Sequence, residues 1–168
     1  AIHAKGNGDC IAGGVAGPPR PNMFDTSLRV PLVVRGPGIP AGREVAEMVT
    51  QLDTLPTVLR RLGVPVPAGL VQRGNDASRL ARGETVPWRD TVFGEFDMHH
   101  YTLARIRMIR TAHYKLVRYL GTSFQDELYD LSEDPGETRN LYASEAARGA
   151  RTDLEGRLAE WRRGLGIE

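Results

Sequence analysis

The sequence predicts a mixed α/β (α+β) chain in two parts, and three observations carry that expectation. The continuous apolar run Leu32-Val33-Val34 is bounded by Pro31 and Gly36 and is followed by a helical stripe. A buried strand leading into a helix is α/β organisation. Beyond Pro87 the pattern changes to four short runs rich in β-branched and aromatic residues, divided by turn residues, as in an antiparallel sheet of about four strands. The chain then closes on a single amphipathic stripe, Leu154, Leu158, Trp161 and Leu165.

The totals suit a chain that buries a core. Of its 168 residues 40% are hydrophobic and 26% charged, unlike a disordered chain. A formal net charge of +1 argues against a nucleic-acid partner. No apolar run is long enough to span a bilayer, so no membrane partner is expected. The single cysteine, Cys10, excludes an internal disulfide framework and a cysteine-built zinc site. Of 22 basic residues only Lys5 and Lys115 are lysines, which invites a specific explanation for each.

Residues 1–21 are rich in Gly and Pro and have loop composition, with Lys5-Gly6-Asn7-Gly8 inside. Asp25 or Ser27 is placed to cap a short turn before the Leu32–Val34 strand. From Glu44 to Leu62 the apolar residues Val45, Met48, Val49, Leu52, Leu55, Leu59 and Leu62 follow a helical period. Asp53 reads as the N-cap of a fresh start, with Pro56 in the first turn and Gly63 as the stop. Residues 64–87 read as a connection with at most a short helix near Ser78 to Ala81, which divides the chain into parts 1–87 and 88–168.

The strands of the second part are expected at Thr91–Phe96, Ile106–Thr111, His113–Tyr119 and Glu127–Leu131, and the last helix at Asp153–Leu165, across one face of the sheet. The last strand runs into Ser132-Glu133-Asp134-Pro135-Gly136-Glu137. Pro135 and Gly136 predict a type II turn with Gly136 at positive φ.

Chemistry is sparse on composition and motif alone. No P-loop, dinucleotide fingerprint or motif-supported Ser-His-Asp order is present. Asp97-Met98-His99-His100 is the densest polar cluster. It reads as a substrate-facing loop, a metal site or a plain surface loop. Neighbouring strand residues point to opposite faces, which opposes convergence of both histidines on one ion.

The string Glu127-Leu-Tyr-Asp-Leu-Ser-Glu-Asp-Pro-Gly-Glu-Thr-Arg-Asn-Leu141 resembles the C-terminal signature of the sulfatases. Further pieces resemble that family in the same order. They are Lys5-Gly6-Asn7, Arg29-Val30-Pro31-Leu32 with Pro37-Gly38, Leu52-Asp53-Thr54-Leu55-Pro56-Thr57, Arg107-Met108-Ile109-Arg110-Thr111 and Tyr114-Lys115-Leu116.

The resemblance implies a formylglycine-dependent, arylsulfatase-like hydrolase of the alkaline phosphatase superfamily. Residues 1–87 would be the end of its α/β catalytic domain and residues 88–168 its small C-terminal subdomain. It implies that Lys5 is catalytic, reaching the sulfate, where a compact ammonium neutralises oxygen charge as the ester bond breaks. A solvated loop lysine is the alternative. It implies that His99 and His100, in the loop before the Arg107–Thr111 strand, help to bind substrate.

It implies calcium or magnesium and a formylglycine in the full-length enzyme, with no cofactor and no metal held by this chain. The nucleophile motif is absent, because Cys10-Ile-Ala-Gly-Gly14 does not match it. The expectation is therefore a C-terminal part, inactive alone. Its full-length partner would be a sulfate-ester small molecule or a sulfated glycan, and the isolated chain would self-associate through exposed apolar surface. Two alternatives are a phosphonate or phosphate monoester hydrolase of the same superfamily and a non-catalytic interaction module.

Overall fold

The structure, a computed structural model, describes residues 22–100, 102–121 and 123–166. The described residues divide into two compact units, one of those up to residue 30 together with those from residue 91 onward, and one of residues 31–90.

The first unit is built on a four-stranded antiparallel sheet in the order β1 (Thr91–His100), β2 (Thr102–Thr111), β3 (Tyr114–Leu120), β4 (Glu127–Asp130). Each strand pairs with the next in sequence, as short turns permit. The register aligns Phe93, Ile109, Leu116 and Leu128 in one row across all four strands. Residues directly opposite share a face, so this row is a continuous apolar floor.

The terminal helix covers it. That helix runs from Arg148 to Leu165, five residues longer at its start than the amphipathic stripe alone predicts, and is preceded by a 3-10 turn at Glu145–Ala147. Leu154 and Leu158 are buried against Ile109, Leu116 and Leu128. Trp161 stacks on Phe93 with ring centroids 4.8 Å apart. Beyond β4, Asn140 and Leu141 close the sheet edge. The Leu128 N–H donates to Asn140 Oδ1 at 3.0 Å, and the Leu141 N–H donates to the Leu128 carbonyl at 2.7 Å. An edge strand whose polar groups are satisfied in this way is withdrawn from pairing with other chains.

The other face of the sheet carries Ile106, Met108, Val117 and Tyr119, and Met23 packs on it. Gly94 makes room there. A Cβ at that position would lie 2.8 Å from Met108 Cε and 3.6 Å from Met23 Sδ. Phe24 lies beside Tyr129, with ring centroids 6.2 Å apart. A single helical turn, α1 (Asp25–Leu28), follows, its cap position held by Phe24 without a side-chain bond. Neither Asp25 nor Ser27 caps it, because the Asp25 carboxylate is engaged elsewhere.

In the second unit the helical stripe resolves into coil from Glu44 to Thr50, a 3-10 turn at Gln51–Asp53 and a helix, α2 (Thr54–Leu62). The restart at Asp53 and the stop at Gly63, with φ 69°, are as predicted. The capping differs. Thr50 and Asp53 form a reciprocal capping box around the 3-10 turn, and Asp53 makes no side-chain cap to α2. A short helix, α3 (Ser78–Arg82), lies where the sequence places one.

The Asp53 carboxylate is a hub. It accepts the N–H groups of Thr50 at 2.7 Å and Asn75 at 2.6 Å, and both Arg89 Nη groups at 2.5 and 2.6 Å. Trp88 donates its indole N–H to the Met48 carbonyl at 2.9 Å.

Leu32–Val34 form no strand among the described residues, and all three side chains are exposed, Val33 at 89%. A strand meant for burial on both faces needs neighbours on either side, and none of the described residues supplies them. Leu52, Leu55, Val58, Leu62 and Val71 of the same unit are exposed as well.

Candidate functional site

The most concentrated polar chemistry in the described chain lies on the Met23 side of the sheet, around Lys115. This side chain is wholly buried, and its ammonium, which has three N–H donors, meets three oxygen acceptors. It donates to the Met23 carbonyl at 3.0 Å, to Glu137 Oε1 at 2.6 Å and to Asp25 Oδ1. Arg110, one strand over and opposite Lys115 in register, grips the same Asp25 through Nε at 3.2 Å and Nη2 at 3.0 Å. Glu137 Oε2 accepts the Asp25 backbone N–H at 2.7 Å.

Two cations therefore face two carboxylates. Burial pushes the Asp25 carboxyl upward, but the hydrogen bonds from Arg110 and Lys115 outweigh it and hold it below the usual range. Burial, with Glu127 beside it, holds the Tyr129 phenol far above its ordinary value, so it stays protonated.

The turn after β4 delivers Glu137 to this knot in a way that sequence reasoning missed. The Glu137 N–H donates to the Asp134 carbonyl at 3.0 Å, closing a four-residue turn. Gly136 does not take positive φ, and Glu137 does, at 53°. Left-handed backbone costs a residue with a Cβ about 1–2 kcal/mol, and here it turns the carboxylate inward onto Lys115. The Asp134 carboxylate holds the far side by accepting the N–H groups of Thr138 at 2.6 Å and Arg139 at 2.8 Å.

His99 and His100 are not in a loop. They are the last two residues of β1, paired with Leu103 and Thr102 of β2. The sheet explains the difference. On β2, β3 pairs only with Arg105–Arg110, so the end of the β1–β2 hairpin runs on past it as a two-stranded arm. Its base is fastened by the buried Arg107, which donates to both Asp97 carboxylate oxygens at 2.6 and 3.1 Å. That bond chiefly raises the pKa of the Arg107 guanidinium.

Lys5 and Cys10 lie outside the described residues. Among the described residues no group of three or more His, Cys, Asp or Glu side chains is placed to hold a metal ion, so no chemical step is assigned through one. No helix among them is long and apolar enough to cross a membrane.

Sequence reasoning missed the catch made by Asp25, Arg110 and Glu137. The one available signal was Lys115 itself, a lysine in a chain that otherwise uses arginine after residue 5.

Comparison with known proteins agrees with this architecture. Residues 20–164 match the family model described as N-sulphoglucosamine sulphohydrolase, C-terminal. Arylsulfatase K of Homo sapiens is 35% identical over 132 residues, which cover 71% of this chain and 23% of that protein. The solved structure of a 2-O GAG sulfatase superposes with a TM-score of 0.67 and 31% identity, covering 76% of this chain and 28% of that one. The phosphonate monoester hydrolase of Agrobacterium radiobacter gives a TM-score of 0.63 and 29% identity, covering 74% and 27%. The chain thus spans about a quarter of the length of these relatives. With its four-stranded antiparallel sheet, its terminal helix and a family match over most of its length, this chain belongs to the sulfatase family, in which it corresponds to the C-terminal domain.

Proposed function

We propose that the longer polypeptide to which this chain belongs hydrolyses sulfate esters, with a sulfated sugar or a small aryl sulfate as substrate, and that this chain is inactive alone. One observation carries the reading: the family match over residues 20–164 joined to coverage of only about a quarter of each relative. A nucleophile and metal ligands supplied by the remaining sequence would complete the site. Lys5 would approach the sulfate. His99 and His100, at the end of a projecting hairpin, would meet the rest of the substrate. Residues 1–87 would continue an α/β catalytic domain and 88–168 would form its C-terminal subdomain, with Asn22–Leu28 as the stretch of the first part that reaches onto the sheet.

The exposed Leu32–Val34 and the apolar side of α2 support incorporation into a larger α/β core. The likeness to a phosphonate monoester hydrolase favours that activity as the second reading.

The test is to produce this chain with and without the upstream sequence of its gene. Each product would be assayed on an aryl sulfate, a sulfated disaccharide and an aryl phosphonate monoester. Sulfate release by the long form alone supports the proposal. Preferential phosphonate cleavage supports the second reading. Silence of the long form on all three, with metal and formylglycine verified, favours a non-catalytic module. The short form should bind a hydrophobic dye, and the long form much less.

A further inference from the structure

We propose that the Lys115 side of the sheet is a peptide socket and that residues 22–28 are the peptide that fills it. Seated there, this strap fastens the chain before residue 31 to the C-terminal sheet and helix, independently of the covalent path through residues 31–90.

The socket grips main chain first. Lys115 Nζ donates to the Met23 carbonyl at 3.0 Å, and Glu137 Oε2 accepts the Asp25 N–H at 2.7 Å, so the backbone is held on both sides of Phe24. The Asp25 carboxylate is then held by Lys115 and, at 3.2 and 3.0 Å, by Arg110. Met23 and Phe24 are the apolar anchors, 3% and 2% exposed. Met23 packs with Ile106, Met108, Val117 and Tyr119 in the space that Gly94 leaves, and Phe24 lies beside Tyr129. Main-chain bonds that give grip, with side-chain pockets that select, are how folded domains bind peptides. The socket reads an apolar residue, an aromatic one and an aspartate in succession.

The contact is also peptide-sized. Asn22, Met23 and Phe24 are buried, and every residue from 29 to 35 is exposed. The chain returns to this unit at β1, beside the strap, because Arg110, which holds Asp25, is paired in register with Val92. The strap therefore bypasses residues 31–90. Buried ion clusters are best attested as devices that fix one register, and here the register is that of strap on sheet. A lysine suits the seat, since the planar fork of an arginine does not match three oxygens gathered around one point.

The experiment uses the whole 168-residue chain, with the recognition sequence of a site-specific protease inserted between the exposed Val30 and Pro31. Cutting there turns the strap into a separate piece, and its attachment into a bimolecular one. Residues 1–30 should stay with residues 31–168 at micromolar concentration in gel filtration and native mass spectrometry. An excess of a synthetic peptide of residues 22–30 should exchange them out. In Asp25→Asn and in Glu137→Gln the piece should leave at least about thirtyfold faster, since truncating one partner of a buried charge pair acts on the dissociation rate. Asp25→Asn is in the strap and leaves residues 31–168 unaltered, so it carries the test should Glu137→Gln fail to fold.

Release of residues 1–30 from the cut, unsubstituted chain would overturn the proposal. Unchanged dissociation in both variants, or exchange that the peptide does not affect, would overturn it too, by placing the attachment outside the socket. These outcomes are read from attachment alone and leave the sulfatase reading to its own assay.

Discussion

The ammonium of Lys115 lies 2.6 Å from the Glu137 carboxylate, and at most 2% of either side chain is exposed. One residue is in the middle of the sheet and the other is in a surface turn. Their meeting joins β3, the turn after β4 and, through Asp25, a segment 90 residues earlier in the chain.

Removing Lys115 should therefore cost much more than an ordinary surface ion pair. Lys115→Met leaves the Asp25 and Glu137 carboxylates buried without their shared partner, a loss of about 3–5 kcal/mol. Lys115→Arg should also destabilise, since charge is retained and geometry is not. Urea unfolding followed by circular dichroism checks both. Wild-type stability of Lys115→Arg would show that charge alone suffices.

Acid should weaken both units through their aspartates. Burial pushes Asp53 upward, but the hydrogen bonds from Arg89, then from the Thr50 and Asn75 N–H groups, hold it below its ordinary value of 3.8. A group lowered in the folded state contributes stability that is complete above 3.8 and is lost as pH falls below it. The same sign holds for Asp25. Urea midpoints should drop as pH is lowered below about 4, and Asp53→Asn should be less stable at neutral pH with a flatter slope. An unchanged slope in that variant would locate the acid sensitivity elsewhere.

Gly136→Ala should be neutral or slightly stabilising, although Pro-Gly in a turn suggests that the glycine is required. Its φ is not positive, and an added Cβ meets Thr138 Cγ2 at 3.5 Å and Asp134 Oδ1 at 3.8 Å, both ordinary contacts. Gly-to-Ala at a compatible site gains about 0.4–1 kcal/mol from the unfolded chain. A loss above about 1 kcal/mol in thermal unfolding would contradict the turn geometry.

Gly74→Ala should be worse tolerated than Gly94→Ala. At position 74 a Cβ would lie 1.9 Å from the Leu52 carbonyl oxygen, so main chain must move, at a cost of about 1–3 kcal/mol or more. At position 94 the nearest atom is Met108 Cε at 2.8 Å, the free end of a side chain that can rotate away. Comparing the two midpoints decides it, and equal losses would mean that Met108 is not free to move.

The sequence was a good guide to much of the local structure, although the helical period at Glu44–Thr50 and the positive φ expected at Gly136 did not materialise. The four strands, the restart at Asp53, the stop at Gly63 and the terminal helix follow from period, propensity and turn chemistry within a few residues of chain. The sulfatase resemblance was legible too, because it lay in the order of short motifs and not in any one contact.

Only the tertiary structure decided where Asp25 and Glu137 go, why Lys115 is a lysine, and that Glu137, not Gly136, takes the left-handed conformation. Those outcomes depend on partners 22 and 90 residues away. A buried charge selects its partners by distance in space, and no periodicity along the chain records that. Leu32–Val34 shows the converse, since an apolar run announces that burial is needed but cannot itself supply the neighbours.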